Sequence, residues 1–289
     1  MNSNVALSKI VAGTMTWGLW GKKSSKLEMI QLIETYLENE IDTFDHADIY
    51  GDHTTETEFG NAFADGKFDR KSVKLISKCG IKSVSELRGN QIKHYDYSKK
   101  HITESVENSL RNLKTDYLDV LLLHRPSPLM NETEIAEVIE KLKLEGKIID
   151  FGLSNFSNLQ TQKISSKTKV LFNQVQFSAT HLDPMLDGSF DFMQLNNIQP
   201  MIWNPLGAYF KSETEQTKRL KLVLKTLTQK YQIDEDIVLI SWIMQLPIQA
   251  IPLVGTTNLN RIKNLKKVVT LDIQDWFAIW EASRGEKVA

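Results

Sequence analysis

Asp42-Thr-Phe-Asp-His-Ala-Asp-Ile-Tyr-Gly51 is the stretch in which this chain declares its architecture. Thr43 and Phe44 suit a pleated surface, and strand alternation sends Thr43 and Asp45 to one face while Phe44 packs on the other. The strand therefore ends on a carboxylate. Tyr50 follows five residues later on an expected loop, and Gly51 permits a sharp turn before the polar run Asp52–Glu58. Past that turn, Glu56–Ala64 has helical spacing, so the stretch opens a strand–turn–helix unit.

The unit recurs on both sides. Upstream, Lys9–Ala12 reads as a short strand ending at Gly13, and Lys26–Glu38 carries Leu27, Ile30, Ile33, Tyr36 and Leu37 at helical spacing. Downstream, Val73–Lys78 precedes Lys100–Leu113, Tyr117–His124 precedes Glu132–Leu144, and Ile149–Leu153 precedes Ser157–Ile164. Leu171–Gln176 leads into a less regular segment containing Phe190–Leu195. Met201–Trp203 precedes two candidate helices, Glu215–Tyr231 and Glu235–Gln245, and Ala250–Leu253 precedes Asn260–Val268. The tail Asp275–Arg284, with Trp276, Phe277, Ile279 and Trp280, reads as a final amphipathic helix. Eight strands alternating with helices, joined by short connections without a Pro/Gly-rich linker, predict a (β/α)8 TIM barrel, one domain over residues 1–289. A doubly wound open sheet is the alternative, but no Gly-x-Gly-x-x-Gly is present to cradle a pyrophosphate.

Composition narrows the partners. With 41% hydrophobic and 25% charged residues, net charge −1 and a pI of about 6.6, the chain offers no field for nucleic acid or an anionic membrane. Small molecules are the expected ligands. A single cysteine, Cys79, excludes an internal disulfide framework, and no Cys/His pairs have zinc-finger spacing. Met1–Ser8 lacks a basic stretch followed by an apolar core, and no run approaches the ~18 apolar residues of a membrane span. The expectation is an unprocessed cytoplasmic protein, monomeric by default.

A barrel of this kind puts its chemistry at the carboxyl ends of its strands. Three consecutive strands there end in Asp45, Lys78 (Lys74-Leu-Ile-Ser-Lys78) and His124 (Leu121-Leu-Leu-His124), with Tyr50 just above the first. Singly, each has an ordinary structural use as a cap, a solvated strand end or a core histidine; together they suit proton transfer to a carbonyl oxygen. A free phenol has a pKa of about 10, and a neighbouring ammonium makes its proton easier to give. Lys78 would be that ammonium, Asp45 would keep it charged and oriented, and His124 would hydrogen-bond the substrate oxygen. None of these residues carries a hydride, so a cofactor must bring the reducing equivalent.

The whole set resembles the aldo-keto reductases. The resemblance rests on Gly13-Thr-Met-Thr-Trp-Gly18, the Asp45-to-Tyr50 spacing with Gly51, Ser77-Lys78, Leu123-His124-Arg-Pro126 and Gly146-Lys-Ile. It continues through Phe151-Gly-Leu-Ser-Asn-Phe156, Asn173-Gln-Val-Gln176, Trp203-Asn-Pro-Leu-Gly207 and Ile251-Pro-Leu-Val-Gly-Thr256 with Arg261. It is nearest to a short bacterial branch carrying Asp-His-Ala-Asp-Ile-Tyr-Gly. The resemblance implies reduction of a small carbonyl substrate by NADPH, with NAD as the alternative dinucleotide, and a tetrad of Asp45, Tyr50, Lys78 and His124. It implies that Ser154, Asn155 and Gln176 bind the carboxamide, that Trp203 stacks on the nicotinamide, and that Leu206 and Gly207 lie beside the pyrophosphate. Gly13, Thr14 and Met15 would lie near the ribose and nicotinamide, Thr256 and Arg261 would meet the 2′-phosphate, and Asp45, Asn204 and Gly255 would also be cofactor-binding. Where many relatives have a lysine this chain has Gly255, and Asn264 replaces a common acidic adenine contact.

Other residues read less specifically. His46 and Asp48 stand two apart on a turn, with His53 nearby and no third ligand fixed by spacing, so no metal centre is expected. Trp17 and His46 are expected to line or underlie the substrate pocket. Cys79 should face away from the barrel interior as a packing thiol. His94-Tyr-Asp-Tyr97 lies on the long stretch after the third strand, where loops shape pockets. A nicotinamide-binding sensor or regulatory subunit with little turnover is the alternative function.

Overall fold

The computed structural model describes residues 5–85 and 88–288. Eight parallel strands close on themselves: β1 (Val11–Gly13), β2 (Thr43–Asp45), β3 (Lys74–Cys79), β4 (Leu118–Leu123), β5 (Ile148–Ser154), β6 (Phe172–Gln176), β7 (Gln199–Trp203) and β8 (Ile251–Val254). Each pairs with its chain neighbours, and β1 pairs with β8, so the (β/α)8 barrel expected from the element order is the fold. Helices fill the returns: α1 (Lys26–Glu38), α2 (Thr55–Asp65), α3 (Lys99–Leu113), α4 (Glu132–Leu144), α5 (Asn158–Ser165), α6 (Ser189–Leu195), α7 (Glu215–Tyr231), α8 (Glu235–Met244), α9 (Leu259–Asn264) and α10 (Ile273–Arg284).

The helix bounds have local causes. Ser25 and Glu28 form a reciprocal capping box at the start of α1, Ser157 and Gln160 do so for α5, and Asn131 accepts from two backbone N–H groups of α4. Three segments differ from the sequence reading. Tyr50 stands on a short helical turn, Tyr50–His53, rather than on an open loop. The segment Asn260–Val268 divides into α9 and a 3-10 turn, Leu265–Lys267, and the long stretch after β3 holds a small antiparallel pair, Ile81–Lys82 with His94–Tyr95.

Alternation along the strands sorts the interior into layers. Val11, Ile76, Val120, Leu122, Phe172, Met201, Ile251 and Leu253 fill the barrel with apolar side chains. One step further along the same inward face stand Asp45, Lys78, His124, Gln174, Gln176 and Trp203. The opposite parity faces the helices: Leu75 and Cys79 enter the outer core, and Cys79 is a buried packing thiol as its neighbour's orientation requires.

That outer core includes the first correction. Trp17 is fully buried and packs on Tyr36, Phe44 and Phe59, with ring centres 5.8, 6.1 and 6.1 Å away, so it is core rather than pocket wall. The backbone N–H of Trp17 bonds back to the Thr14 carbonyl, which turns the ring under the strand. His46 belongs to the same layer: its ring lies 4.5 Å from Phe59 and its Nδ1 faces Thr14 Oγ1 at 2.9 Å, beneath the site rather than in it.

Two outcomes follow. Trp17→Ala removes a fully buried indole and should cost about 3–5 kcal/mol in urea unfolding; a loss within the ordinary surface range would place Trp17 outside the core. Burial, then the Lys78 charge, holds the His46 pKa down at about 3. The unfolded imidazole titrates near ~6.5, so between the two values the unfolded chain binds the extra proton and stability falls as pH falls. Across that window His46→Asn should flatten the pH dependence by up to about 1.4 kcal/mol per pH unit; equal slopes for variant and parent would contradict a neutral buried His46.

Candidate active site

Lys78 is the centre of the polar layer. Its side chain has no exposed surface, and Nζ donates to Asp45 Oδ2 at 2.6 Å, to the His46 carbonyl at 2.8 Å and to Tyr50 Oη at 3.1 Å. These three acceptors match the three hydrogens of an ammonium. Asp45 comes from β2 and Tyr50 from the turn above it, where Gly51 has φ +59° and a Cβ would stand 2.4 Å from Thr55 Oγ1. A side chain at Gly51 would break the turn that aims the phenol.

The electrostatics follow from this packing. Burial opposes the charged form of Lys78, but Asp45 and Tyr50 outweigh it, and the lysine pKa ends above its ordinary value. Burial pushes the Tyr50 phenol up; Lys78 pulls it back without cancelling the rise. Tyr50 is therefore an uncharged phenol at neutral pH, and since its oxygen accepts from Lys78, its own hydrogen is left for another acceptor. Burial, with Lys78 and then Arg125, drives the His124 pKa well below the usual histidine range. The neutral His124 ring lies 6.1 Å from the Tyr50 ring, edge to face, and its Nδ1 is buried without a partner. A buried N–H without an acceptor is the costlier state, which favours the tautomer carrying its hydrogen on Nε2.

Across the mouth, the ends of β5, β6 and β7 hold a second network. Trp203 Nε1 donates to Asn155 Oδ1 at 2.8 Å, and Asn155 Nδ2 donates to Ser154 Oγ at 2.7 Å. Asn155 has φ +62°, held there in part by its N–H bond to the Gln174 carbonyl at 2.8 Å. Gln176 pairs with Trp203 across the strands. Next along the rim, Gly207 has φ +55°, and a Cβ would meet Thr180 Oγ1 at 2.0 Å. Met15, Gly255 and Arg261 are exposed, and Gly13, Asn204, Leu206 and Thr256 are partly so. An indole, amide groups, close-packed glycine backbone and an exposed guanidinium suit an extended dinucleotide along this rim. Thr14 differs from its expected use: its side chain is fully buried and Oγ1 donates to the Asp45 carbonyl at 2.9 Å, so its hydroxyl does not face the mouth.

Some neighbours were not singled out from sequence. Gln174 Nε2 donates to Asp45 Oδ1 at 2.9 Å, so both carboxylate oxygens are engaged. Its parity with Gln176 was the available signal, because Gln174 stands one step deeper on the same inward face. Trp20 lies 6.1 Å from the Tyr50 ring and donates Nε1 to Asp52 Oδ1 at 3.1 Å. Lys211 Nζ reaches Asn204 Oδ1 at 3.1 Å. Neither loop residue has a periodic signature. Asp48 and His53, by contrast, line a polar cavity of about 320 Å³ behind β3 with Glu56 and Lys82. There burial, then Glu56, pushes Asp48 up to about 8. Among the described residues no group of three His, Cys, Asp or Glu side chains is placed to hold a metal ion, and no helix is long and apolar enough to cross a membrane.

The model of the Aldo/keto reductase family matches residues 9–284. Uncharacterized oxidoreductase YcsN of Bacillus subtilis is 38% identical, covering 98% of this chain and 96% of its own. The 6-dehydroglucose reductase of Agrobacterium fabrum is 31% identical, covering 99% of both chains. In fold, the chain is similar to the aldo/keto reductase from Klebsiella pneumoniae solved in complex with NADP and acetate (TM-score 0.78, 21% identity, covering 95% of this chain and 91% of that one). With that match running through all eight strands and two relatives aligned over nearly their full length, the chain belongs to the aldo/keto reductase family, oxidoreductases that use a nicotinamide cofactor.

Proposed function

We propose that the protein is an NADPH-dependent reductase of aldehydes and ketones in which Tyr50 is the general acid. The observation that carries this reading is the Lys78 ammonium, wholly buried and shared between a carboxylate, a carbonyl and a phenol. Such a charge costs several kcal/mol to bury, and it stands where an anion forms when Tyr50 gives up its proton. When bound, NADPH supplies a hydride to the carbonyl carbon.

The chain's own residues do the rest. Tyr50 donates its proton to the carbonyl oxygen, and Lys78 stabilises the phenolate left behind. Asp45 keeps Lys78 charged and directed. His124, neutral and with its hydrogen on Nε2, donates to the same oxygen and fixes the direction in which the carbonyl points. Ser154, Asn155 and Gln176 hold the carboxamide, and Trp203 covers one face of the nicotinamide. Met15 and Gly13 border the ribose, with Asn204, Leu206 and Gly207 beside the pyrophosphate. Arg261, exposed and without an ion-pair partner among the described residues, suits the 2′-phosphate with Thr256 and Gly255 beside it, which favours NADPH over NADH.

Mixed with NADPH and a panel of aldehydes, the protein should consume the nicotinamide absorbance. Tyr50→Phe should lower kcat by about 10²–10⁴-fold while still binding NADPH. Binding without turnover in either protein would instead support the sensor reading. The pH profile is a second check. With His124 neutral far below its ordinary value, kcat/KM for reduction should show no inflection near ~6.5, and should fall only above the ordinary phenol range, where Tyr50 loses its proton. An acid-side inflection that disappears in His124→Gln would refute a neutral His124.

A further inference from the structure

A half-buried arginine stands at the barrel mouth with no ion-pair partner among the described residues. Arg125 follows His124 at the end of β4, and its Cζ lies 5.6 Å from the centre of the Trp203 ring on β7. Its root is rigid. Tyr97, itself buried, donates its hydroxyl to the Arg125 carbonyl and accepts from the Arg125 N–H at 3.1 Å. Tyr97 in turn rests on Gly80, where φ is +109° and a Cβ would stand 2.1 Å from the tyrosine ring.

Other arginines are used differently. Arg70 pairs with Asp119, Arg284 with Glu286, and Arg219 donates to the Ala282 carbonyl. Among the described residues no carboxylate or carbonyl takes a hydrogen bond from the Arg125 guanidinium, and a ring face leaves its N–H donors without acceptors. Arg125 acts electrostatically on both Tyr50 and His124, and Lys93 acts on His124 as well. The Trp20 ring lies 6.1 Å from the Tyr50 ring, and Trp20, Leu19 and Met15 on the same loop are exposed. Tyr50 thus has exposed apolar side chains near its ring and a cation, rooted at its backbone, close enough to act on it electrostatically.

We propose that the substrates of this site are carbonyl compounds bearing their own anionic group, an aldehyde or keto acid, with Arg125 binding that carboxylate while Tyr50 protonates the carbonyl oxygen. The substrate class rests on the reductase reading and adds no chemical step to it. The carbonyl carbon takes a hydride from NADPH, its oxygen takes a proton from Tyr50, and the carboxylate is unchanged.

Matched pairs separate the two claims: 4-carboxybenzaldehyde against its methyl ester, and 4-oxobutanoate against butanal. The wild type should favour each acid by about tenfold or more in kcat/KM, chiefly through KM, and the preference should shrink as salt is added. In Arg125→Met the acid-to-neutral ratio should fall to about one, and Arg125→Lys should restore part of it. The ratio is taken within one preparation, so partial unfolding lowers both rates and leaves it unchanged. Equal use of acid and neutral compounds by the wild type, or an acid preference that survives Arg125→Met, would overturn the inference and leave the reductase standing. No turnover of any carbonyl would overturn both.

Discussion

A buried ammonium has to be compensated, and much of the barrel's upper rim is the compensation of Lys78. Asp45 neutralises it, the His46 carbonyl and the Tyr50 oxygen take its remaining hydrogens, and Gln174 holds the carboxylate oxygen that Lys78 does not use. Removing one partner from such a group leaves a charge without solvent, which is far costlier than the pair is stabilising. The geometry that orients the phenol is therefore also required for the fold to tolerate its own interior charge.

The barrel beneath makes that arrangement rigid. Side chains such as Val120, Leu122, Met201 and Leu253 fill the interior with hydrocarbon, so the polar layer above them has nowhere to sink. Outside the sheet, Phe44 is locked by Trp17, Tyr36 and Phe59, which fixes the strand that delivers Asp45. Trp242 and Trp276 do similar work elsewhere, their rings 5.2 Å apart and each indole N–H bonded to the other's carbonyl, tying the closing helix to α8. At the rim, Gly51 and Asn155 both take left-handed backbone.

Family membership gives a reaction class, and the residues around the site are read from this chain's own geometry. Gln174, Trp20 and Arg125 surround Asp45, Tyr50 and His124, Gln174 placed by its own strand, Trp20 by the first loop, and Arg125 by Tyr97 resting on Gly80. A shared barrel therefore leaves room for different substrates among relatives.

How much of this was legible follows the range of the interactions. Lys26–Glu38 and Glu132–Leu144 match α1 and α4 end for end, because caps and periodicity act over a few residues. Asp45, Lys78 and His124 were legible as inward rim residues from strand parity alone. Trp17 was misread because nothing in Gly13-Thr-Met-Thr-Trp-Gly18 says that the loop folds back under the strand. Gln174 escaped notice because its partner Asp45 lies 129 positions away. The sequence by itself determined the alternation of strands and helices and the residues available at each strand end. Only closure of the barrel decided which of them meet, since a hydrogen bond across its interior joins strands that no local rule connects.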